Sequence, residues 1–206
     1  MKKITFLLAA VLMTGCSNSK DASESNFKAA LQEYYDQKPA CLDLSMNFPY
    51  EESKNSYFLM KNEEVLNELV KLGFLTVEET EIEGRYNMFG KKSPEEALKY
   101  DLTDLGRKQA NLSDEHNQNF CYGSYEVVDV TNFTEPADMM GETVSRVNFS
   151  FKLTNVDDWV KESPVFKEQL MGVKRSFLAL DKPIDSKAAL ILTNKGWMHE
   201  RLFGNS

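Results

Sequence analysis

The chain has 206 residues, a formal net charge of −8 at pH 7 and 42% hydrophobic residues, an ordinary composition for a globular core. Removing residues 1–15 takes Lys2 and Lys3 away and leaves −10. So acidic a chain is repelled by phosphate backbones and gains nothing from an anionic lipid surface, which argues against nucleic acid as a partner.

Met1-Lys2-Lys3 is followed by an apolar run from Ile4 to Met13. Two lysines and about ten apolar residues fit the first two regions of a signal peptide, and the run is only about half a bilayer span. The five residues Leu12-Met13-Thr14-Gly15-Cys16 resemble the lipobox of bacterial lipoprotein precursors, with Met13 where that pattern prefers Leu. The resemblance implies cleavage before Cys16, acylation (palmitate-type chains) of Cys16, and attachment to a membrane through that lipid. Ser17 is not the aspartate associated with inner-membrane retention, so the resemblance points to the outer membrane, facing the periplasm. Ser17 to Ser25 are small, polar and aperiodic, and read as a flexible tether. The expected organisation is a signal peptide over 1–15, lipidated cysteine and tether over 16–26, and α+β halves over 27–118 and 119–206.

Phe27 to Gln37, with Asn26 as N-cap, carries apolar residues at helical spacing, and Pro39 ends it. Cys41 to Met46 alternate as a strand would. With Cys16 set aside, Cys41 and Cys121 are the remaining cysteines. An exported compartment permits one disulfide between them; the alternative is two separately buried thiols. No CxxC is present to suggest redox chemistry.

Asn62 is a candidate cap for a helix bearing Val65, Leu66, Leu69 and Leu72, closed by Gly73. A strand over Phe74–Ile82 follows, then a polar stretch over Glu83–Glu96, then alternation at Leu98, Tyr100 and Leu102. Leu66-x-x-Leu69-x-x-x-Gly73-Phe74-Leu75 and Tyr100-Asp-Leu-Thr-Asp-Leu-Gly-Arg107 together resemble the second half of a winged helix. That likeness implies a helix ending at glycine, two wing strands, and a Leu-Thr-x-x-Gly turn opening the next helix. DNA binding does not carry over: residues 62–110 hold seven Lys or Arg against eleven Asp or Glu.

Leu192-Thr193-Asn194-Lys195-Gly196 echoes Leu102-Thr103-Asp104-Leu105-Gly106, which suggests a duplicated, winged-helix-like second half. Between them, Phe120–Phe133 and the alternating Val147, Phe149, Phe151 and Leu153 predict antiparallel strands with one wet face. Glu135–Gly141 is a connection too long for a tight hairpin. A helix is expected over Val156–Leu170, with Pro164 inside it. The fold class is therefore α+β, short helices packed on antiparallel sheet.

Chemistry-bearing motifs are absent from the sequence: it contains no GxSxG, HExxH, P-loop or GxGxxG. His116 lies in a polar run with Asp114 and Glu115 that reads as a solvated loop, and His199, beside Glu200 and Arg201, reads as exposed. Trp159 and Trp197 are candidates for lining a ligand groove, with core packing as the plainer reading. Asn111, Asn132 and Asn148 match glycosylation triplets by coincidence in a chain with a lipobox. No catalytic residue, cofactor or metal is expected.

These readings support a non-enzymatic interaction module of the cell envelope that binds another envelope protein, with strand addition at a sheet edge as one route. The alternative is a ligand-binding or hydrolytic protein acting on cell-wall or lipid components, which requires a pocket that gathers aromatics or acids distant in sequence. A third is an inhibitor whose acidic face neutralises a basic enzyme.

Overall fold

The computed structural model describes residues 18–86, 92–111 and 119–204. Residues 1–17, with Cys16 and the signal segment, and the loop holding Asp114, Glu115 and His116 lie outside the described residues.

The architecture is α+β, and both sheets are antiparallel. The larger has seven strands: β1 (Ala40–Cys41), β5 (Ala110–Asn111), β6 (Asn119–Phe133), β7 (Ala137–Met139), β8 (Glu142–Thr154), β9 (Ile184–Thr193) and β10 (Gly196–His199). Its main path runs β1-β6-β8-β9-β10, with β5 on β6 and β7 on β8. The smaller sheet has the order β2-β4-β3, from β2 (Tyr50–Ser53), β3 (Leu75–Tyr86) and β4 (Lys92–Leu102). The helices are α1 (Glu24–Asp36), α2 (Tyr57–Lys71), α3 (Asp104–Gln109), α4 (Asp158–Glu162), α5 (Pro164–Gln169) and α6 (Met171–Asp181).

Helix α1 begins earlier than its periodicity predicts. Ser23 Oγ accepts from the Asn26 N–H at 3.3 Å, so Ser23 is the cap. The Asn26 side chain instead donates to the carbonyls of Asn18 and Asp21. Trp197 Nε1 donates to the carbonyls of Lys20 and Asp21, and Ser19 Oγ donates to Lys195 O. From Asn18 onward the expected flexible tether is thus fastened to the domain. Gly196 makes this possible: its φ is +128°, and a Cβ there would stand 2.9 Å from the Ser19 carbonyl.

Phe27, Ala30 and Leu31 of α1 are buried against β6 and β10, in a cluster with Val127, Val130, Val147, Phe149, Leu190 and Trp197. Burying a Phe or Leu this fully contributes about 2–3 kcal/mol each. A second cluster joins α2, the small sheet and helices α4 to α6 around Phe74, Tyr100, Phe120 and Tyr122.

The 62–107 region runs helix, strand, strand, helix, with β3 and β4 as a long hairpin, the wing. Helix α2 starts at Ser56, whose Oγ accepts from the Phe58 N–H; the expected cap Asn62 lies inside the helix, donating to Phe58 O. Gly73 has φ +74° and turns the chain into β3, which pairs with β4 from Leu75↔Leu102 outward. The wing strands extend through much of the stretch read as polar connection. Thr103 caps α3: its Oγ1 accepts from the Gly106 N–H at 2.9 Å and donates to Gly73 O at 2.6 Å.

The echo at 192–197 has a different structure. Thr193 and Gly196 are paired across a two-residue β-hairpin turn, with Thr193 Oγ1 donating to Gly196 O, and no helix follows among the described residues. The shared letters reflect a shared need for a hydroxyl and a glycine at a tight turn, and the second half is a sheet meander with a helical insertion. Glu135–Gly141 also differs from expectation. It contains β7 and closes on β8 through Met140 and Gly141, both at positive φ, as a tight hairpin requires. Over 156–170, Pro164 stands at the first position of α5 and divides the expected single helix; α6 then carries the chain on to Asp181.

Cys41 and Cys121 are disulfide-bonded across the β1–β6 pairing, closing 80 residues of chain. In the chain-entropy model such a link stabilises by about 4 kcal/mol.

Candidate functional site

A cleft of about 520 Å³ opens where the C-terminal end of α1, the first half of α6 and the end of the large sheet meet. Its rings come from four elements: Tyr34 and Tyr35 from α1, Tyr125 from β6, Phe149 and Phe151 from β8, and His199 from β10. Tyr35 packs on Phe151, 5.1 Å between centroids at 29°, and also meets Tyr125 and Phe149. Tyr34 stacks on His199 at 3.9 Å and 16°. The opposite wall is α6, with Gly172, Arg175 and Ser176.

Burial dominates the protonation of these groups. Desolvation raises the Tyr35 hydroxyl to about 12, with the neighbouring Tyr34 and Tyr125 adding to it, and raises Tyr125 as well. His199 is buried, which corrects its expected exposure, and desolvation lowers its pKa so that the neutral imidazole is favoured. Its Nδ1 accepts from the Arg201 N–H at 3.1 Å, which places the ring proton on Nε2. The sequence reading misplaced His199 because its charged neighbours suggested solvent. Strand alternation turns Glu200 outward and His199 inward, and Met198-His199 continues the β10 pairing to Leu190.

Cations surround the rings. Lys38, Arg175, Lys187 and Arg201 line the cleft, with Glu200 as its one acid among the described residues. Arg201 Nη1 donates to Tyr34 Oη at 3.2 Å, and that bond raises the guanidinium's pKa further. Among the described residues Lys38, Arg175 and Lys187 have no carboxylate within ion-pair distance. This is a concentration of positive charge on a chain whose acids crowd elsewhere. Glu78, Glu79, Glu81, Glu95 and Glu96 are on the wing, where Lys54 and Lys99 answer three of them.

No protein-family model, curated protein or solved structure matches this chain. The cleft is therefore read from its own residues.

Neither tryptophan lines it. Trp197 belongs to the α1 core, and Trp159 packs edge-on to Phe74 and Phe166 while its Nε1 donates to Asp157. Asn132 and Asn148 lie opposite each other on β6 and β8, with Asn148 Nδ2 donating to Asn132 Oδ1. Among the described residues no three His, Cys, Asp or Glu side chains converge as metal ligands, and no helix is long and apolar enough to cross a membrane. Ser176 faces the cleft but is engaged, bonded to Tyr122 Oη at 2.6 Å and donating to Val173 O. The cleft can stack a flat or apolar group on its rings and neutralise an anion at its rim.

Proposed function

We propose that this protein is a lipid-anchored, non-enzymatic binding module of the cell envelope, held through Cys16 at the periplasmic face of the outer membrane. Its cleft is the contact site for an anionic partner or ligand. The observation that carries this reading is the meeting, among the described residues, of six rings with four cations and a single acid in one concavity. Rings distant in sequence converge there, as a ligand-binding role requires, and Lys38, Arg175 and Lys187, which have no carboxylate partner among the described residues, leave their donors available to an incoming anion. A binding role fits better than a hydrolytic one, because the His199 imidazole is occupied by Tyr34 and the Arg201 backbone.

The cleft is tested by NMR titration with 4-hydroxybenzoate and, as its uncharged counterpart, 4-hydroxybenzamide. The acid is expected to shift the His199 and Tyr34 ring signals saturably and at least tenfold more tightly than the amide, with Arg175→Ala weakening it several-fold. Equal weak shifts for both compounds, or shifts elsewhere only, overturn the reading. The anchor is tested separately: full-length chain is expected in the outer-membrane fraction, and Cys16→Ser chain in the soluble periplasm. Identical fractionation of the two removes the lipid from the proposal.

A further inference from the structure

Strand β9 is paired with β8 from Ile184 to Ile191 but with β10 only over its last residues. The β10 register covers Leu190 to Thr193, and Glu200 N–H donates to Ala189 O as the last rung. The chain then turns away, with Leu202 N–H donating to His199 O and the Arg201 side chain reaching Tyr34. Among the described residues, 184–188 have a strand partner on the β8 side alone. In an antiparallel ladder, backbone groups alternate in direction. Since Ala189 faces β10, Lys187 and Asp185 present their N–H and C=O to the open side.

The depressions beside this edge match that geometry. On one face is the ring-lined cleft, reached past Ile184 and Ser186. On the other is a shallower concavity of about 470 Å³, bordered by Arg146, Asn148 and Thr134. Lys187 and Glu200 border both. A strand continuing the line of β10 would send successive side chains alternately into the two.

We propose that the partner is an acidic peptide segment that adds as an extended strand to β9 at residues 184–188, with alternate side chains in the two depressions. This rests on the reading of the cleft as an anion-binding site and names its partner class. Charge selects the occupant. The cleft side offers Lys38, Arg175 and Arg201, the other face offers Arg146, and Lys187 stands between, so that among the described residues five cations face two acids, Glu200 at the rim and Asp185 on the edge itself. Backbone hydrogen bonds supply affinity in strand addition, and the pockets for alternate residues supply specificity. A second copy of this chain is an outcome of the test, since an antiparallel register centred on Ser186 would set Lys187 opposite Asp185 of the other copy, and it is read as self-association.

The probe is fluorescein-labelled Glu-Val-Glu-Phe-Glu-Val-Glu, read by anisotropy against full-length mature protein. Its lysine counterpart and a version N-methylated at alternate amides serve as controls. Saturable binding of the acidic peptide is expected, at least tenfold weaker for the N-methylated form and undetectable for the lysine form. Lys187→Pro removes the outward N–H at a position where an edge strand tolerates proline, and is expected to weaken binding at least tenfold. Lys187→Ala, which keeps that N–H, is expected to lose several-fold only. Equal binding of the methylated peptide overturns strand addition, as does concentration-dependent self-association without peptide binding. If the peptide fails while 4-hydroxybenzoate still shifts His199, the edge proposal falls and the cleft reading stands; if both fail, both fall.

Discussion

Tyr34 and His199 stack face to face, 3.9 Å between ring centroids, although 165 positions separate them in the chain. The stack joins the end of α1 to the end of β10 and walls one side of the cleft, so the buried imidazole is both a structural piece and part of the site. Burial lowers its pKa below the ordinary 6.5, which fixes the sign of its effect on stability. The unfolded chain binds a proton near pH 6.5, whereas the folded chain resists it to lower pH. The contribution of His199 is therefore fully present above pH 6.5 and is lost as pH falls through that value toward the depressed folded pKa. The midpoint of urea denaturation is expected to fall between pH 7.5 and 5 more steeply in the natural chain than in His199→Phe, which keeps the stack without the proton. Parallel pH profiles for the two would show that His199 titrates alike folded and unfolded.

Gln32 acts as a substitute strand along β6. Its Nε2 donates to Tyr125 O at 3.0 Å and its Oε1 accepts from the Val127 N–H at 2.8 Å, while Lys28 Nζ donates to Val128 O. Beyond the short β1 and β5 pairings, α1 side chains thus satisfy backbone groups that an edge strand would leave open. Gln32→Ala removes both bonds and is expected to cost about 1–2 kcal/mol in denaturant unfolding. Gln32→Glu keeps the acceptor and loses the donor to Tyr125, so the Val127 amide should remain more protected from hydrogen exchange in Gln32→Glu than in Gln32→Ala. Equal Val127 exchange in both variants and the natural chain would show that the amide does not hold the strand.

The disulfide fastens the segment after α1 to β6. Reduction, or the double substitution Cys41→Ala with Cys121→Ala, is expected to lower unfolding free energy by about 4 kcal/mol through the 80-residue loop it closes. Thiol titration of the unfolded mature chain should find only Cys16, and only where that residue is not acylated. A drop below about 1 kcal/mol would mean that the loop is already restrained in the unfolded ensemble.

What the sequence made legible was local. The alternation of Val147, Phe149, Phe151 and Leu153 is one face of β8, and the Gly73 and Thr103 turns fall where composition placed them. Strand β6 shows why more was hidden. Irregularities in its register between Val127 and Asp129 and between Val130 and Asn132 put Val127, Val130 and Phe133 opposite Phe151, Phe149 and Val147. Three-residue spacing on a strand defeats a period-two reading, because each bulge adds a residue that the partner lacks. The cleft was less visible still. Its rings lie on α1, β6, β8 and β10, and no window of sequence contains more than two or three of them. Net charge concealed it as well, since −8 averages an acidic wing with a basic cleft.

The turn at Thr103 shows why a glycine is needed three residues later, and it yields the sharpest packing test. A Cβ at Gly106 would stand 1.9 Å from the Phe74 carbonyl oxygen, with no flexible side chain able to give way. The same carbonyl accepts from the Thr103 N–H at 3.1 Å, and Thr103 Oγ1 bridges the Gly106 N–H to the Gly73 carbonyl. Helix α3 is thus seated through backbone on the turn between α2 and β3, where a methyl group forces the two apart. Gly106→Ala is expected to destabilise by about 2–3 kcal/mol, at the upper end for an added methyl because backbone must move. Thr103→Val keeps the shape, removes the cap and the bridge, and should cost about 1–2 kcal/mol. Since both changes break one contact, the double variant should cost less than the two single values added together. Additive losses by chemical denaturation would show that the cap and the close approach act independently.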